Sequence, residues 1–152
     1  MSEESQQFAI QKIYLKDVSF ESPNSPQSFT SGDWQPQINV QINSANQVIA
    51  ENVYEVVLNI TVTAKHEEKT AFLAEVKQAG IFTMVGFPEE NVGGMIGAYC
   101  PEVLFPFARE AISELVSKGG FPQLLLAPVN FNALYTQQMQ QQAAAPTEVT
   151  SH

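Results

Sequence analysis

Apolar residues recur with a period of two through the first half of the chain and with a period near 3.6 through much of the second. That order predicts strands followed by helices. In residues 8–21, Phe8, Ile10, Tyr14, Val18 and Phe20 fall on one parity and Gln11, Asp17, Ser19 and Glu21 on the other, the pattern of a half-buried strand. A second strand sets Ile38, Val40 and Ile42 against Gln37, Asn39, Gln41 and Asn43, and Ser44 to Asn46 is expected to turn the chain. The third run is the clearest. Tyr54, Val56, Leu58, Ile60, Val62 and Ala64 alternate with Glu55, Asn59, Thr61, Thr63 and Lys65, and β-branched residues dominate it. The charged stretch from His66 to Lys69 reads as a hairpin tip. A fourth strand over residues 70–85 puts Phe72, Ala74, Val76, Phe82 and Met84 on one face and Leu73, Glu75 and Lys77 on the other. Four successive strands joined by short turns predict a meander-like antiparallel sheet with one covered and one wet face.

After the breaker GFPEENVGG the period changes: Leu104, Ala108, Ala111, Ile112, Leu115 and Val116 recur at helical spacing. Pro101 suits a first helical turn, and Lys118 followed by Gly119 and Gly120 is a stop signal. Pro106 is expected to kink this helix or to mark its true start. Residues 121–129, with Pro122 and Pro128 near the ends, read as an extended cover segment, and a second helix is expected over 131–142. The reading is one α+β domain over residues 8–142, a four-stranded antiparallel sheet with two helices on one face. Residues 1–7 are expected to be flexible and 143–152 to form a mobile tail.

A length of 152 residues fits that single domain. With 16 acidic against 7 basic residues the net charge is −9, which disfavours both nucleic acid and anionic membrane surfaces but leaves a basic protein partner open. No apolar run approaches the roughly 18 residues of a membrane span, and residues 1–7 lack the pattern of a secretory signal. One cysteine and two histidines give no basis for a disulfide framework or a structural metal site, and a reducing cytoplasm fits.

Catalysis finds little to use. Cys100 stands before a helix start with no histidine placed as its base, and simple burial explains it. Glu89 and Glu90 are adjacent rather than opposed, and the glycines of VGGMIG match no phosphate-binding loop, so no catalytic residue and no cofactor are expected.

Two surfaces remain. Asp17 and Glu21 share a parity on the first strand, and Glu55 and Glu75 lie on the polar parities of the third and fourth. If these strands are neighbours, carboxylates and Leu73 meet on the wet face, as a solvated surface or as a docking site for a basic partner. The second surface is apolar. Phe29 and Trp34 sit in a polar loop, and with Ile38, Val40, Ile42, Tyr54, Phe121, Leu124 and Leu126 they exceed the evident needs of one small core. They either pack inside or line a groove that accepts extended peptide.

Residues 98–135 carry the order CP, LFPFARE, GGFPQLLLAPVNF and ALY, preceded upstream by IYLKDVSFESPN, DWQPQI, VYEVVLNITVTA and AFLAEVKQAGIF. Over roughly residues 8–142 this closely resembles the bacterial protein-export chaperone family SecB. The resemblance implies a cytoplasmic, ATP-independent holdase that keeps unfolded precursors translocation-competent and delivers them to the SecA motor. It further implies a homotetramer built as a dimer of dimers, with sheets pairing within dimers and long helices meeting between them at about Tyr99, Leu104, Ala108 and Ile112. Asp17, Glu21, Leu73 and Glu75 match the positions that meet SecA, including its basic, zinc-binding tail. Of the last ten residues only Glu148 is acidic, whereas family tails are often more so. The alternatives are a small hydrophobic-ligand-binding protein and a structural assembly subunit.

Overall fold

The alternating half of the sequence forms four antiparallel strands, β1 (Gln7–Glu21), β2 (Gln37–Ala50), β3 (Val53–His66) and β4 (Lys69–Val85). Helical structure follows as α1 (Glu89–Gly94), a wide π turn (Met95–Tyr99), α2 (Cys100–Lys118) and α3 (Phe131–Thr150). The computed structural model describes residues 5–150, with side chains for 5–143. The spatial order is β1-β4-β3-β2. Strands β2, β3 and β4 are a meander, but β1 lies beside β4 instead of β2, which is Greek-key connectivity. Residues 22–36 therefore run from one edge of the sheet to the other, across the end of the β3–β4 hairpin.

β3 and β4 are central, and their even-numbered residues form the covered face. Val56, Leu58, Ile60, Val62, Ala74, Val76 and Phe82 have no exposed surface. α2 lays Leu104, Ala108, Ile112 and Val116 on them. Burying each large aliphatic or aromatic side chain contributes about 1.5–3 kcal/mol, so this seam is the main source of stability. Gly80 sets how near α2 comes: a Cβ there would lie 2.8 Å from the Phe82 ring and 3.1 Å from Leu104 Cδ2.

Several local expectations are corrected. Ser44 to Asn46 do not turn; they continue β2, paired with Leu58, Val57 and Val56. The turn comes at Glu51–Asn52, where Asn52 has φ 62°, a conformation asparagine tolerates well. At the next hairpin Glu67 and Glu68 both adopt positive φ, 53° and 65°. The breaker before the long helix is partly helical, with Glu89 and Glu90 in the first turn of α1, where their charge suits the helix N-terminus. Pro106 neither starts nor ends α2, which is helical on both sides of it. The stop at its far end is as expected: Phe121 N donates to Val116 O and Gly120 N to Ser117 O, with Gly120 at φ 92°, a Schellman closure. α3 begins where expected, capped by Asn130 Oδ1 accepting from Ala133 N at 3.0 Å, but its backbone stays helical to Thr150. The expected tail overlaps that helix at 143–150; its side chains from 144 onward, residues 151–152, and 1–4 of the expected flexible start lie outside the described residues.

β1 departs most from simple alternation. It carries two bulges against β4, one between Ile10 and Lys12 and one between Leu15 and Asp17. Each shifts which residue faces the helices, so Ile13 and Leu15, paired with Gly80 and Gln78, lie on the helix side while Tyr14, paired with Ala79, turns away. Alternation alone places Tyr14 with Phe8 and Phe20, and Leu15 on the wet face; both are inverted. The second bulge restores the original parity from Asp17 onward.

Candidate functional site

The aromatic residues of the crossing loop gather on Phe121. Its ring centroid lies 5.0 Å from those of Phe29 and Phe72, 5.3 Å from that of Trp34 and 6.4 Å from that of Phe20. Trp34 also lies over His66, centroids 5.2 Å apart, and His66 Nε2 is 2.9 Å from the carbonyl of Ser31. His66 is thus no solvated tip residue but a buried anchor under the loop, and its Nδ1 has no partner among the described residues. Asn24 Nδ2 donates to Thr70 O at 2.8 Å and ties down the start of the same loop. Phe121 is the buried floor of this cluster, and Phe29 is 49% exposed at its rim.

From this cluster a stripe runs along the outer strand. Ile38, Val40 and Ile42 pair with Ala64, Val62 and Ile60, so they point to the helix side, yet Ile38 and Val40 are each 39% exposed because α2 covers the centre of the sheet and leaves the β2 edge open. Past Ile42 the seam is closed by the first turns of α3, where Leu134 and Tyr135 stand with Phe131. Tyr135 lies on Gly97 in the π turn, where any side chain would collide with its ring. Leu124 is half-buried and Leu126 buried. Tyr54 is not part of this group. It pairs with Val48 and Phe82 near the opposite end of β3, about 33 Å along the strand from Ala64. Sequence reasoning missed Leu125, 68% exposed between two covered leucines.

The acidic set is brought together on the opposite face. The register places Asp17 opposite Lys77, Ser19 opposite Glu75 and Glu21 opposite Leu73. On the inner side Thr61 and Thr63 pair with Glu75 and Leu73, and Thr61 Oγ1 donates to Glu75 Oε2 at 3.2 Å. Paired residues lie close enough for direct contact, so the four form one patch spanning β1 and β4.

Glu55 is on the same face but is not part of the patch. It is 5% exposed and accepts from Lys16 Nζ at 2.9 and 3.0 Å, from Gln47 Nε2 at 2.9 Å and from the Tyr14 hydroxyl. The Tyr14 hydrogen bond, helped by Lys16 and Gln47, holds its carboxyl below the usual range despite burial. Burial, then the hydrogen bond and charge of Glu55, push the Tyr14 phenol up to about 12.

The positions expected at the helix interface divide. Leu104, Ala108 and Ile112 have no exposed surface: they are the face of α2 that packs on the sheet, and they have nothing left to offer a second copy. Tyr99 is 48% exposed and packs edge-on against Phe8, and the open side of α2 is carried by Phe107 and Pro106 instead, beside a depression of about 500 Å³ that Leu125 also lines. Cys100 is buried, and burial pushes its thiol up to about 12. Among the described residues no group of three or more histidine, cysteine or acidic side chains is placed to hold a metal ion, and no helix is long and apolar enough to cross a membrane.

The family model described as preprotein translocase subunit SecB matches residues 1–142. The chain belongs to the SecB family. A protein-export protein SecB of Nitrosococcus oceani is 60% identical, the match covering 96% of this chain and 90% of that one, and one of Methylococcus capsulatus is 58% identical over 96% and 97%. A SecB-like chaperone of Mycobacterium tuberculosis, solved in complex with a ChAD peptide from the HigA1 antitoxin, superposes with a TM-score of 0.66 over 80% of this chain and 90% of that one. At 15% identity that likeness speaks for the SecB fold alone.

Proposed function

We propose that this SecB-family chain is a cytoplasmic, ATP-independent holdase that captures unfolded precursors and passes them to the SecA motor. The observation that carries the reading is the separation of two surfaces by one sheet. The apolar stripe of Phe29, Trp34, Ile38, Val40 and Ile42 lies on the helix side, and Asp17, Glu21, Leu73 and Glu75 lie on the other. A client and a basic motor segment can then be held together without competing for the same side chains. That the M. tuberculosis SecB-like chaperone is solved with a bound peptide supports peptide capture by this fold. The stripe offers apolar contact and the unpaired backbone of an edge strand, neither of which reads sequence, so an extended chain of many compositions fits it.

Each such contact is weak after ordering costs, and several on one assembly restore affinity through effective concentration. A homotetramer built as a dimer of dimers supplies them, with sheets pairing within dimers and the open side of α2, Tyr99 and Phe107, meeting between them. The test is suppression of aggregation of several unrelated denatured proteins without nucleotide. No effect at a stoichiometric ratio, or saturation by one small ligand instead, refutes the holdase. Replacing Asp17 and Glu75 with lysine is expected to abolish motor binding and spare client holding. Loss of both, or of neither, refutes the division into two surfaces.

A further inference from the structure

The second bulge of β1 decides which way the acidic patch faces. With regular pairing after Leu15 opposite Gln78, Asp17 would stand opposite Val76 on the helix side. The inserted residue instead places Asp17 opposite Lys77, and Ser19 and Glu21 follow it to the open face. A one-residue slip flips every side chain beyond it, so the patch exists only while this bulge holds.

A bulge also costs ladder hydrogen bonds, and β1 is an edge strand with few contacts to the helices. Two side chains compensate. Gln78, 4% exposed, donates from Nε2 to the Tyr14 carbonyl at 3.1 Å. From the other face Glu55, two strands away, holds both Tyr14 and the bulged Lys16. The carboxylate is fixed in turn by Gln47 of β2, so the clamp spans the sheet from edge to edge.

We propose that Glu55 is the positioning residue of the acidic patch: through Lys16 and Tyr14 it fixes the β1 bulge and thereby the face on which Asp17 and Glu21 are presented. This rests on the motor-docking reading of that patch. Glu55 touches no partner itself; its carboxylate is buried under the two side chains it holds.

Lys16 makes the idea testable by sign. Its side chain is 44% exposed beside an acidic surface, so if it acted only as a charge its removal would strengthen binding of a basic partner. The clamp requires the opposite. SecA binding to the full-length assembly is measured by titration calorimetry at fixed salt for Lys16→Met, Lys16→Arg, Glu55→Gln and the Lys16→Met/Glu55→Gln double variant. Lys16→Met and Glu55→Gln are expected to weaken binding about tenfold each. The double variant should be no weaker than the poorer single, because both remove one clamp. Lys16→Arg should bind as the parent does, and aggregation suppression should be unchanged throughout.

Tighter or equal binding by Lys16→Met overturns the proposal, as does a double variant whose losses multiply. Should Glu55→Gln fail to fold, the sign for half-exposed Lys16 still decides. Asp17→Lys/Glu75→Lys separates the two ideas. If that variant binds normally the docking reading fails, and if it abolishes binding while Lys16→Met does not weaken it, only the clamp fails.

Discussion

Phe121→Ala removes the ring on which the crossing loop, the strand core and the rim of the apolar stripe converge. Four rings lie within 6.4 Å of it, and it is 5% exposed. Truncating a buried phenylalanine costs about 3–5 kcal/mol, the transfer free energy of the ring plus the cavity it leaves. The upper half of that range applies here. Phe72 is held in β4 and cannot move into the gap, while Phe29 and Trp34 would have to carry the loop with them. For a domain of this size each kcal/mol lowers the melting temperature by about 2–4 °C, so a fall of about 8–20 °C is expected. Leu125→Ala, four residues along the same segment but open to solvent, should stay within about 0.5 kcal/mol of the parent. Both are read by calorimetric melting at one protein concentration, since the proposed assembly would make the midpoint concentration-dependent. A Phe121→Ala protein melting within about 2 °C of the parent would refute the reasoning. The rings would then be a surface arrangement with no keystone.

Other outcomes follow from single observations. Trp34→Ala should weaken aggregation suppression several-fold while Tyr54→Ala, at the far end of the sheet, should not; equal effects would mean the stripe extends along the whole β2 side of the sheet. Glu55 has a carboxyl pKa below its unfolded value, so its stabilisation is complete above the ordinary carboxylate pKa of about 4.3 and is lost as pH falls through the lower folded value. The difference in urea midpoint between parent and Glu55→Gln should therefore be constant near neutrality and shrink below about pH 4. Cys100, with its thiol pushed up to about 12, should react with a disulfide reagent at pH 8 only at the rate of unfolding. Fast labelling of the native protein would show that the α2 start opens locally. Gly80→Val should destabilise by separating α2 from β4, read as a lower melting temperature than Gly94→Val, where an added Cβ meets nothing within 4 Å among the described residues.

The alternation in β3 and β4 was legible because both strands are central: every second residue is truly buried, and the pattern follows burial. The same reading failed on β2, an edge strand exposed along nearly all of its length, where Ser44 to Asn46 could remain in a strand without a burial cost. It failed inside β1 because a bulge adds a residue without changing composition. Asp17 and Glu21 were nevertheless assigned to the right face, since two bulges cancel in parity. Their neighbours Leu73 and Glu75 depended on β1 lying next to β4, and alternation carries no information about strand order. Only the length and aromatic content of the 22–36 connection hinted at a crossing. On α2 the apolar stripe and its packing on the sheet were legible, but of the interface positions that the resemblance implies, Leu104, Ala108 and Ile112 are spent on the sheet. Glu55 was read as one carboxylate among several, because nothing local announces that Tyr14, Lys16 and Gln47 will meet there.

The strand order also sets a clock on the ribosome. Partners of β1 lie from 52 positions away, Glu21 with Leu73, to 78 positions away, Gln7 with Val85. Such long-range pairing is slow, and during synthesis the first strand must wait until the whole of β4 has emerged. Meanwhile its apolar residues and unpaired backbone are exposed in the manner of the chains a holdase captures. A finished copy could therefore shelter an unfinished one, and the abundance of assembled protein would then influence how efficiently new copies mature.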